Sequence, residues 1–260
     1  MKITDKYIPR EYLSLKINYL RQRLDQLPKS ILAEHKINGT SRKVIKIDDH
    51  RYLTDSKAGK EYLDLFHEKE ELESQLNIYE TIWNANFKGP PDTGCVPCII
   101  KRYLSIDPLH QVVMNKDYFD SLKNDDNEKY QKYKSNLFNG IYYRSAAERD
   151  IAIYYTEMGI PFKYEPSIMI SGLTKAINPD FVLYIKELDS CKFHEHLGMK
   201  DYADYLRDTK VKYSNYLGAG LIPDVDIIFT HDKDDAPFDI RYLSAKLNSA
   251  VYGSIICRDP

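Results

Sequence analysis

Two acidic residues, Asp180 and Glu195, lie in neighbouring apolar segments of the chain. Strands joined by a tight turn pair residues whose numbers sum to a constant, and a turn centred on Leu188–Asp189 makes that constant 377. Asp180 then lies opposite Leu197 and diagonal to Glu195, within reach of its side chain. Two carboxylates at this distance repel each other unless a cation lies between them, and oxygen ligands suit Mg²⁺ or Mn²⁺. The spacing therefore predicts a divalent-metal site.

A third acidic residue, Glu148, has two interpretations. Ser145 and Glu148 have the spacing of a capping box, in which the glutamate bonds back to the backbone at the helix start. That arrangement explains both residues without any chemistry. Alternatively, Glu148 ligates the metal or holds its water. For Asp180 and Glu195 the plainer interpretation is an exposed acidic pair at a strand end, but polar residues within apolar strands need a reason.

Composition limits the classes of function. The 260 residues are 43% hydrophobic and 29% charged, as in a globular chain with one core and an appendage or two small domains. No apolar run approaches the roughly 20 residues of a membrane span, and the first residues lack a signal-peptide pattern. The formal net charge of −2 means that any DNA contact must come from a local basic surface. We expect a cytoplasmic protein with no membrane segment.

The cysteines and histidines give weaker signals. Cys95-x-x-Cys98 resembles half of a zinc knuckle, but the other two cysteines of the chain are distant and single, so reduced structural thiols are favoured over zinc. His194 and His196 alternate with Glu195 along the predicted strand and should point to its opposite face. A His-x-His zinc site would lack a third ligand at a diagnostic spacing. We therefore interpret these histidines as hydrogen-bonded or surface residues.

The first segment, residues 1–88, is predicted to be a helical hairpin arm. Apolar residues recur at spacings of four and three before Pro28, and a second apolar series follows. The first series is Leu13, Ile17, Leu20, Leu24 and Leu27, and the second is Leu65, Leu72, Leu76, Tyr79 and Trp83. Two such helices most simply form an antiparallel coiled-coil pair. The arm is the expected surface for a homodimer or for another protein partner.

A short β-hairpin is predicted between the two helices, from 44–47 and 51–53 around an Asp-Asp-His turn. From 35 to 60 there are seven Lys and Arg residues against three Asp. Such a basic tip can contact a phosphate backbone. The alternative is a solvated loop whose charges keep the chain soluble.

The remainder divides into a connecting region, 89–140, and an α/β domain, 141–260. The connecting region opens on a Gly-Pro-rich break and contains a charged run, 118–134, predicted to be helical. In the α/β domain, hydrophobic periodicity predicts a helix from Ser145, strands at about 162–170, 180–186 and 191–197, a helix at about 201–217, a strand at 226–230 and a last helix at 239–251. The strand at 181–185 is apolar on both faces, so it should be central in a mixed sheet flanked by helices.

Residues 141–245 resemble the PD-(D/E)XK nuclease superfamily, the fold of restriction endonucleases. The resemblance depends on short segments in the family's order, in a pattern common among small nuclease-like proteins. They are 143–148 (Tyr-Arg-Ser-Ala-Ala-Glu), 159–165 (Gly-Ile-Pro-Phe-Lys-Tyr-Glu), 178–181 (Asn-Pro-Asp-Phe) and 193–199 (Phe-His-Glu-His-Leu-Gly-Met), followed by a helix with Lys212 and Tyr216. The fold that this implies is a restriction-endonuclease-like αβββαβ core.

The resemblance also implies an activity, the Mg²⁺- or Mn²⁺-dependent hydrolysis of phosphodiester bonds in DNA, with double-stranded DNA as the expected substrate. Asp180 and Glu195 would hold the metal, Glu148 would ligate it or hold its water, and the carbonyl of His196 would add an oxygen. The metal would lower the pKa of its water and offset charge that develops on the phosphate. Arg144 is a candidate phosphate ligand.

One position departs from the family pattern. The lysine expected two residues after Glu195 is replaced by Leu197, which can neither orient nor deprotonate water. Some relatives supply the lysine from the next helix, where Lys212 lies four residues before Tyr216 on one helical face. Lys210 is the alternative. The departure also motivates a second hypothesis: a catalytically inactive nuclease fold that binds DNA or a protein partner, with the arm mediating the interaction.

Overall fold

The computed structural model describes residues 9–37, 40–91, 95–96, 100–198, 203–232, 238–254 and 256–257. This part of the chain is a mixed α/β structure with helices, small antiparallel sheets and one mixed sheet. The chain divides into two compact units, Leu13–Thr93 (the arm unit) and Met1–Tyr12 with Gly94–Pro260 (the core unit). No helix among the described residues is long and apolar enough to span a membrane.

The arm unit contains two helices and a three-stranded sheet. In chain order the elements are α1 (Arg10–Gln26), β1 (Ser30–Ile37), β2 (Thr40–Ile47), β3 (His50–Leu53) and α2 (Lys57–Asn86), and the unit boundary falls within α1. Both apolar series are buried or half-buried. Two ion pairs join the helices: Arg21 lies 2.7 Å from Glu80, and Arg23 lies 2.8 Å from Glu68.

The predicted hairpin is confirmed as β2 and β3, which pair antiparallel from Val44 with Leu53 onward. Asp48 forms the turn with a left-handed φ of 50°. The sequence does not predict β1, which pairs along the whole of β2. Among the side chains of β1 that the structure describes, that of Ser30 alone is buried, so the strand lacks the alternating apolar pattern that would reveal it.

The core unit is built on a four-stranded mixed sheet. In chain order its elements are β4 (Cys95–Val96), β5 (Tyr103–Ser105), β6 (Gln111–Val113), α3 (Lys116–Ser121), β7 (Leu137–Phe138), β8 (Ile141–Tyr142), α4 (Ala146–Glu157), β9 (Phe162–Tyr164), β10 (Phe181–Ile185), β11 (Ser190–Leu197), α5 (Ala203–Gly218), β12 (Ile227–His231), α6 (Ile240–Tyr252) and β13 (Ile256–Cys257). From α4 onward the elements follow the predicted order. β9, β10 and β11 are antiparallel neighbours, whereas β11 and β12 are parallel.

Helices pack on both faces of this sheet. Phe193 of β11 lies in one apolar cluster with Tyr216 of α5 and Phe119 of α3. The next residue of β11, His194, points to the opposite face, where its ring contacts that of Tyr155 of α4. β10 is paired on both edges and buried on both faces, so its predicted central position is confirmed.

The register between β10 and β11 differs from the predicted one. Paired residue numbers sum to 375 rather than 377, because the connecting turn is centred one residue earlier. A 3₁₀ turn at Lys186–Leu188 leads into Asp189, which adopts a left-handed φ of 43° and directs the chain into β11. Continued by one residue, this register places Glu195 opposite Asp180 rather than diagonal to it. Since the shift is of two residues, each side chain stays on its predicted face.

Two other predicted elements end early. The predicted strand 162–170 stops at Tyr164, because Glu165 adopts a left-handed φ of 42°. The predicted helix 118–134 is present only as α3, and Asp125, with a φ of 57°, lies in the irregular segment that follows. Positive φ values in non-glycine residues are incompatible with a continuing strand or helix.

Candidate functional site

Three buried carboxylates come from three different elements of the core unit. Glu148 lies in the first turn of α4, Asp180 immediately precedes β10, and Glu195 lies in β11; they are 6%, 2% and 1% exposed. Asp180 and Glu195 line a cavity of about 520 Å³, and Glu148 lines a second cavity of about 540 Å³. Both cavities are also lined by Arg144 and His196. Carboxylates this deeply buried require positive partners.

Arg144 provides the first positive partner. Its Nη2 lies 3.0 Å from Oδ1 of Asp180, and its Nε lies 3.0 Å from Oε1 of Glu165 and 3.8 Å from Oε1 of Glu148. Burial by itself would lower the pKa of Arg144, but the carboxylates of Asp180, Glu148 and Glu165 outweigh burial and raise it. The guanidinium is therefore a fixed positive charge between the acidic groups.

Lys212 provides the second positive partner. Its Nζ donates to Oε2 of Glu195 at 2.6 Å, and the hydroxyl of Tyr216, one turn later on α5, donates to Oε1. Burial would lower the pKa of Lys212, but Glu195 and Asp180 raise it. Lys212 therefore stays protonated, which suits it to neutralise charge and to orient water by donation. Lys210 is exposed.

Glu148 combines parts of both predicted roles. The Ser145 hydroxyl accepts from the Glu148 backbone N–H at 3.1 Å, so the serine caps α4. The other half of a capping box is replaced, because Oε2 of Glu148 accepts from the Tyr164 hydroxyl at 2.6 Å and from the Arg144 backbone N–H at 3.2 Å. The carboxylate is thus turned toward the cluster rather than toward Ser145.

Burial raises the pKa of Glu148 and of Glu195 above the ordinary range of a glutamate, and the charge of Asp180 raises both further. Arg144 partly offsets this rise for Glu148, and Lys212 does so for Glu195. The two cations therefore balance the cluster incompletely. A further positive charge close to Asp180 would favour the ionised forms of Glu148 and Glu195.

His196 contributes through its backbone and its ring on different sides of β11. Its backbone N–H donates to Oδ2 of Asp180 at 2.7 Å, which fixes that carboxylate. Its ring lies 2.9 Å through Nδ1 from the Thr230 hydroxyl and 3.2 Å through Nε2 from Asp232. His194 bonds the same Thr230 hydroxyl at 2.7 Å. Both rings thus have hydrogen-bond partners. Of the Cys95-x-x-Cys98 pair, Cys98 lies outside the described residues.

Glu165 is a further acidic residue of the cluster, which the sequence by itself does not single out. The side chain is fully buried, accepts a hydrogen bond from the Asn127 side chain at 3.0 Å, and forms ion pairs with Arg144 and, at 3.3 Å, with the Lys132 amine. Asn127 and Lys132 come from the irregular segment before β7. The sequence signal for Glu165 is its place in the segment 159–165 that resembles the nuclease family. Its partners come from distant parts of the chain and depend on tertiary folding.

The carboxylate oxygens of the cluster are the candidate ligands for a metal ion. Among the described residues, no three His, Cys, Asp or Glu side chains form a group that could hold a metal ion. Mg²⁺, however, is usually bound through one or two carboxylates and keeps several waters, so Asp180 and Glu195 suffice in number and chemistry. The residues therefore fit a hard divalent cation.

No family model, no curated protein and no solved structure matches this chain. The interpretation of the site therefore depends on its geometry and chemistry.

Proposed function

We propose that this chain is a metal-dependent nuclease that hydrolyses phosphodiester bonds in DNA, on a restriction-endonuclease-like core. The observation that carries the proposal is the placement of two buried carboxylates, Asp180 and Glu195, in one cavity with Lys212 and Arg144. Paired carboxylates that share a cavity with fixed cations suit a reaction at an anionic phosphate, where charge develops during bond cleavage.

Each residue has a role that follows from its contacts. Asp180 and Glu195 would hold Mg²⁺ or Mn²⁺, which when bound activates water and offsets phosphate charge. Glu148, hydrogen-bonded to Tyr164, would position a water ligand. Lys212, held protonated beside Glu195, would orient the attacking water by donating to it. Arg144 would exchange part of its bonding to the carboxylates for the phosphate.

The arm unit supplies a candidate DNA contact, which we call the basic face. Lys46 pairs directly with Arg51 across β2 and β3, and Arg42 lies four residues along β2, so all three side chains share one face of the sheet. Arg42 and Arg51 are exposed, and Lys46 is half-buried. Three positive side chains on one face of a sheet suit the phosphate backbone of double-stranded DNA.

A second candidate function has support from the same site. Asp180 and Glu195 each already bond a cation of the chain, at 3.0 Å and 2.6 Å, and Leu197 occupies the position of the family lysine. A cluster paired in this way with cations of the same chain can be a structural remnant in an inactive nuclease fold that binds DNA or a protein partner, with the helices of the arm as a coiled-coil interface.

Substitution of the carboxylates separates the two candidates. We expect Asp180→Ala and Glu195→Ala each to reduce Mg²⁺-dependent DNA cleavage by at least about 100-fold, since loss of even the outer partners of metal ligands costs 10- to 100-fold. Asp117→Ala, at an exposed aspartate of α3, is the matched control and should cleave normally. Full cleavage by both site variants would overturn the nuclease proposal. Calorimetry that detects no Mn²⁺ binding at millimolar concentration would favour the inactive fold.

A further inference from the structure

An aromatic and basic segment lies beside the carboxylate cluster. Residues 129–134 read Lys-Tyr-Gln-Lys-Tyr-Lys, so two tyrosines are interleaved with three lysines in an irregular stretch that ends where a 3₁₀ turn begins at Lys134, before β7. Tyr130 is 52% exposed and Tyr133 is 51% exposed. Each ring therefore presents a large aromatic surface to solvent, whereas such rings usually bury most of their area. Lys129 and Lys134 are exposed as well.

The segment is held in place by the side chain of Lys132 and by a backbone hydrogen bond of Tyr133. Lys132 is half-buried and forms ion pairs with the carboxylates of Asp125 and Glu165, and Glu165 belongs to the cluster around Arg144. The Tyr133 backbone N–H donates to the Tyr143 carbonyl at 3.3 Å. Lys132 therefore anchors the segment while its neighbours point outward. Preorganised rings bind a ligand at a lower entropic cost than mobile ones.

The two rings line the cavities of the candidate site. Tyr130 lines the cavity that contains Asp180 and Glu195, and both tyrosines line the cavity that contains Glu148. The Arg144 guanidinium lies 5.2 Å from the centroid of the Tyr130 ring. The same arginine thus contacts the carboxylates and one tyrosine. A ligand on these rings would continue directly into the cluster.

Exposed aromatic rings interleaved with lysines fit one ligand chemistry particularly well. Unpaired nucleobases stack on aromatic side chains, and the phosphates between them bind lysines. Bases within a duplex are stacked on each other and cannot reach such rings. We infer that residues 129–134 form a track for a single-stranded stretch of DNA, with bases stacked on Tyr130 and Tyr133 and phosphates beside Lys129 and Lys134. The inference rests on the proposed function for its substrate, and it specifies that the strand enters the site unpaired.

Binding without cleavage tests the track. Fluorescence anisotropy of the full-length chain in EDTA, with a labelled short oligo(dT) and a labelled duplex of equal length, measures both affinities. Stacking is worth about 1–3 kcal/mol per base, so Tyr130→Ala and Tyr133→Ala should each weaken oligo(dT) binding by about 5- to 150-fold. Duplex binding should change by less than about twofold, because the duplex cannot use the rings. Tyr130→Phe keeps the ring and should bind as the unmodified chain does.

Tyr103→Ala is the matched control, since Tyr103 is an exposed tyrosine of β5 that lines neither cavity. It should bind oligo(dT) normally. Unchanged oligo(dT) binding by both alanine variants, or an equal loss of duplex binding, would overturn the track. The outcome is separate from that of the nuclease proposal: loss of oligo(dT) binding in a chain that never cleaves supports the track alone, and normal binding in a chain that cleaves overturns the track alone.

Discussion

Burial decides the charge states of individual residues at the site. Glu195 is almost fully buried between Lys212 and Tyr216, and burial together with Asp180 raises its pKa. The protonated amine of Lys212 pairs with the Glu195 carboxylate, and Glu195 and Asp180 in turn raise the pKa of Lys212. A buried carboxylate and a protonated amine at 2.6 Å act as one unit. The amine is consequently a donor, so under the proposed function it would hold and orient water rather than remove a proton.

Lys212 and Lys210 provide a matched pair on one helix. Lys212→Ala should lower DNA cleavage by about 100-fold, which is the lower range for a positioned proton donor or acceptor. Lys210→Ala removes an exposed amine with the same change of net charge, so its cleavage rate should stay within about twofold. Single-turnover cleavage at saturating Mg²⁺ measures both. Equal rates in the two variants would contradict the assigned role of Lys212.

Lys192 illustrates a buried charge outside the site. Its side chain is fully buried in β11, and its Nζ donates to the Ser254 hydroxyl at 2.7 Å. Burial lowers the pKa of Lys192 to about 8, below the value of about 10.4 for an unfolded chain. Between these pH values the unfolded chain binds more protons than the folded one, so Lys192 makes stability rise with pH.

We expect Lys192→Met to remove that rise. Relative to the unmodified chain, the variant should be more stable at pH 7 by roughly 1–3 kcal/mol, and this advantage should shrink as pH increases toward 9. Urea unfolding at pH 7, 8 and 9 measures the difference, with exposed Lys210→Met as the control. A constant difference between Lys192→Met and the unmodified chain across this range would show that the lysine does not titrate as inferred.

At the scale of elements, strand alternation and register decide which groups meet. β11 presents Phe193 and Glu195 on one face and His194 and His196 on the other. The 3₁₀ turn before β11 sets the register that places Glu195 opposite Asp180. In α4, the capping Ser145 fixes the first turn and thereby the position of Glu148. Each catalytic candidate thus depends on the exact end or turn of an element.

The basic face of the arm sheet makes a prediction at this scale. Each phosphate contact contributes about −0.9 to the slope of log affinity against log salt concentration for duplex DNA. Arg42→Ala, Lys46→Ala and Arg51→Ala should therefore each reduce the magnitude of the slope by about 0.9. Lys43→Ala is the matched control, because Lys43 points to the opposite face and pairs across the sheet with Glu34.

Duplex anisotropy titrations in EDTA over a series of KCl concentrations measure these slopes. If the Arg42, Lys46 and Arg51 variants have the same slope as the unmodified chain, the basic face does not contact duplex DNA. A slope change in Lys43→Ala as large as in the others would mean that the effect comes from net charge alone.

At the scale of the whole molecule, the chain consists of two compact units, each with buried apolar residues of its own. The arm unit buries Ile45, Leu72 and Trp83, and the core unit buries the sheet residues around Phe193 and the inner side of α6, including Leu247. A unit with its own core can lose stability by itself.

We therefore expect Leu247→Ala, which costs about 2–5 kcal/mol in a packed core, to reduce hydrogen-exchange protection across β10, β11 and β12 but not across α2. Ile45→Ala should have the converse effect. Hydrogen exchange followed by mass spectrometry resolves peptides from both units. Equal loss of protection in both units for either variant would show that the chain unfolds as one body.

Short-range sequence patterns alone determine many of the helices and strands of this protein and their order. Hydrophobic periodicity places both long helices, the hairpin of β2 and β3 and the order of elements from α4 onward, because periods of 3.6 and 2 are properties of short segments. It also puts Asp180 near Glu195, and Lys212 on one helical face with Tyr216. These relations hold within one element or across one turn, so the local sequence is enough to predict them.

Tertiary structure decides which residues that are far apart in sequence come into contact. Arg144 lies between Glu148, Glu165 and Asp180, and Lys132 reaches Glu165, through contacts that no local period encodes. Left-handed residues set the length of β9 and the register of β11, since a single positive φ redirects a strand. The charge balance of the cluster follows from burial, which exists only after packing. Residue type and spacing therefore predict which groups could do chemistry, and packing decides which charges they carry.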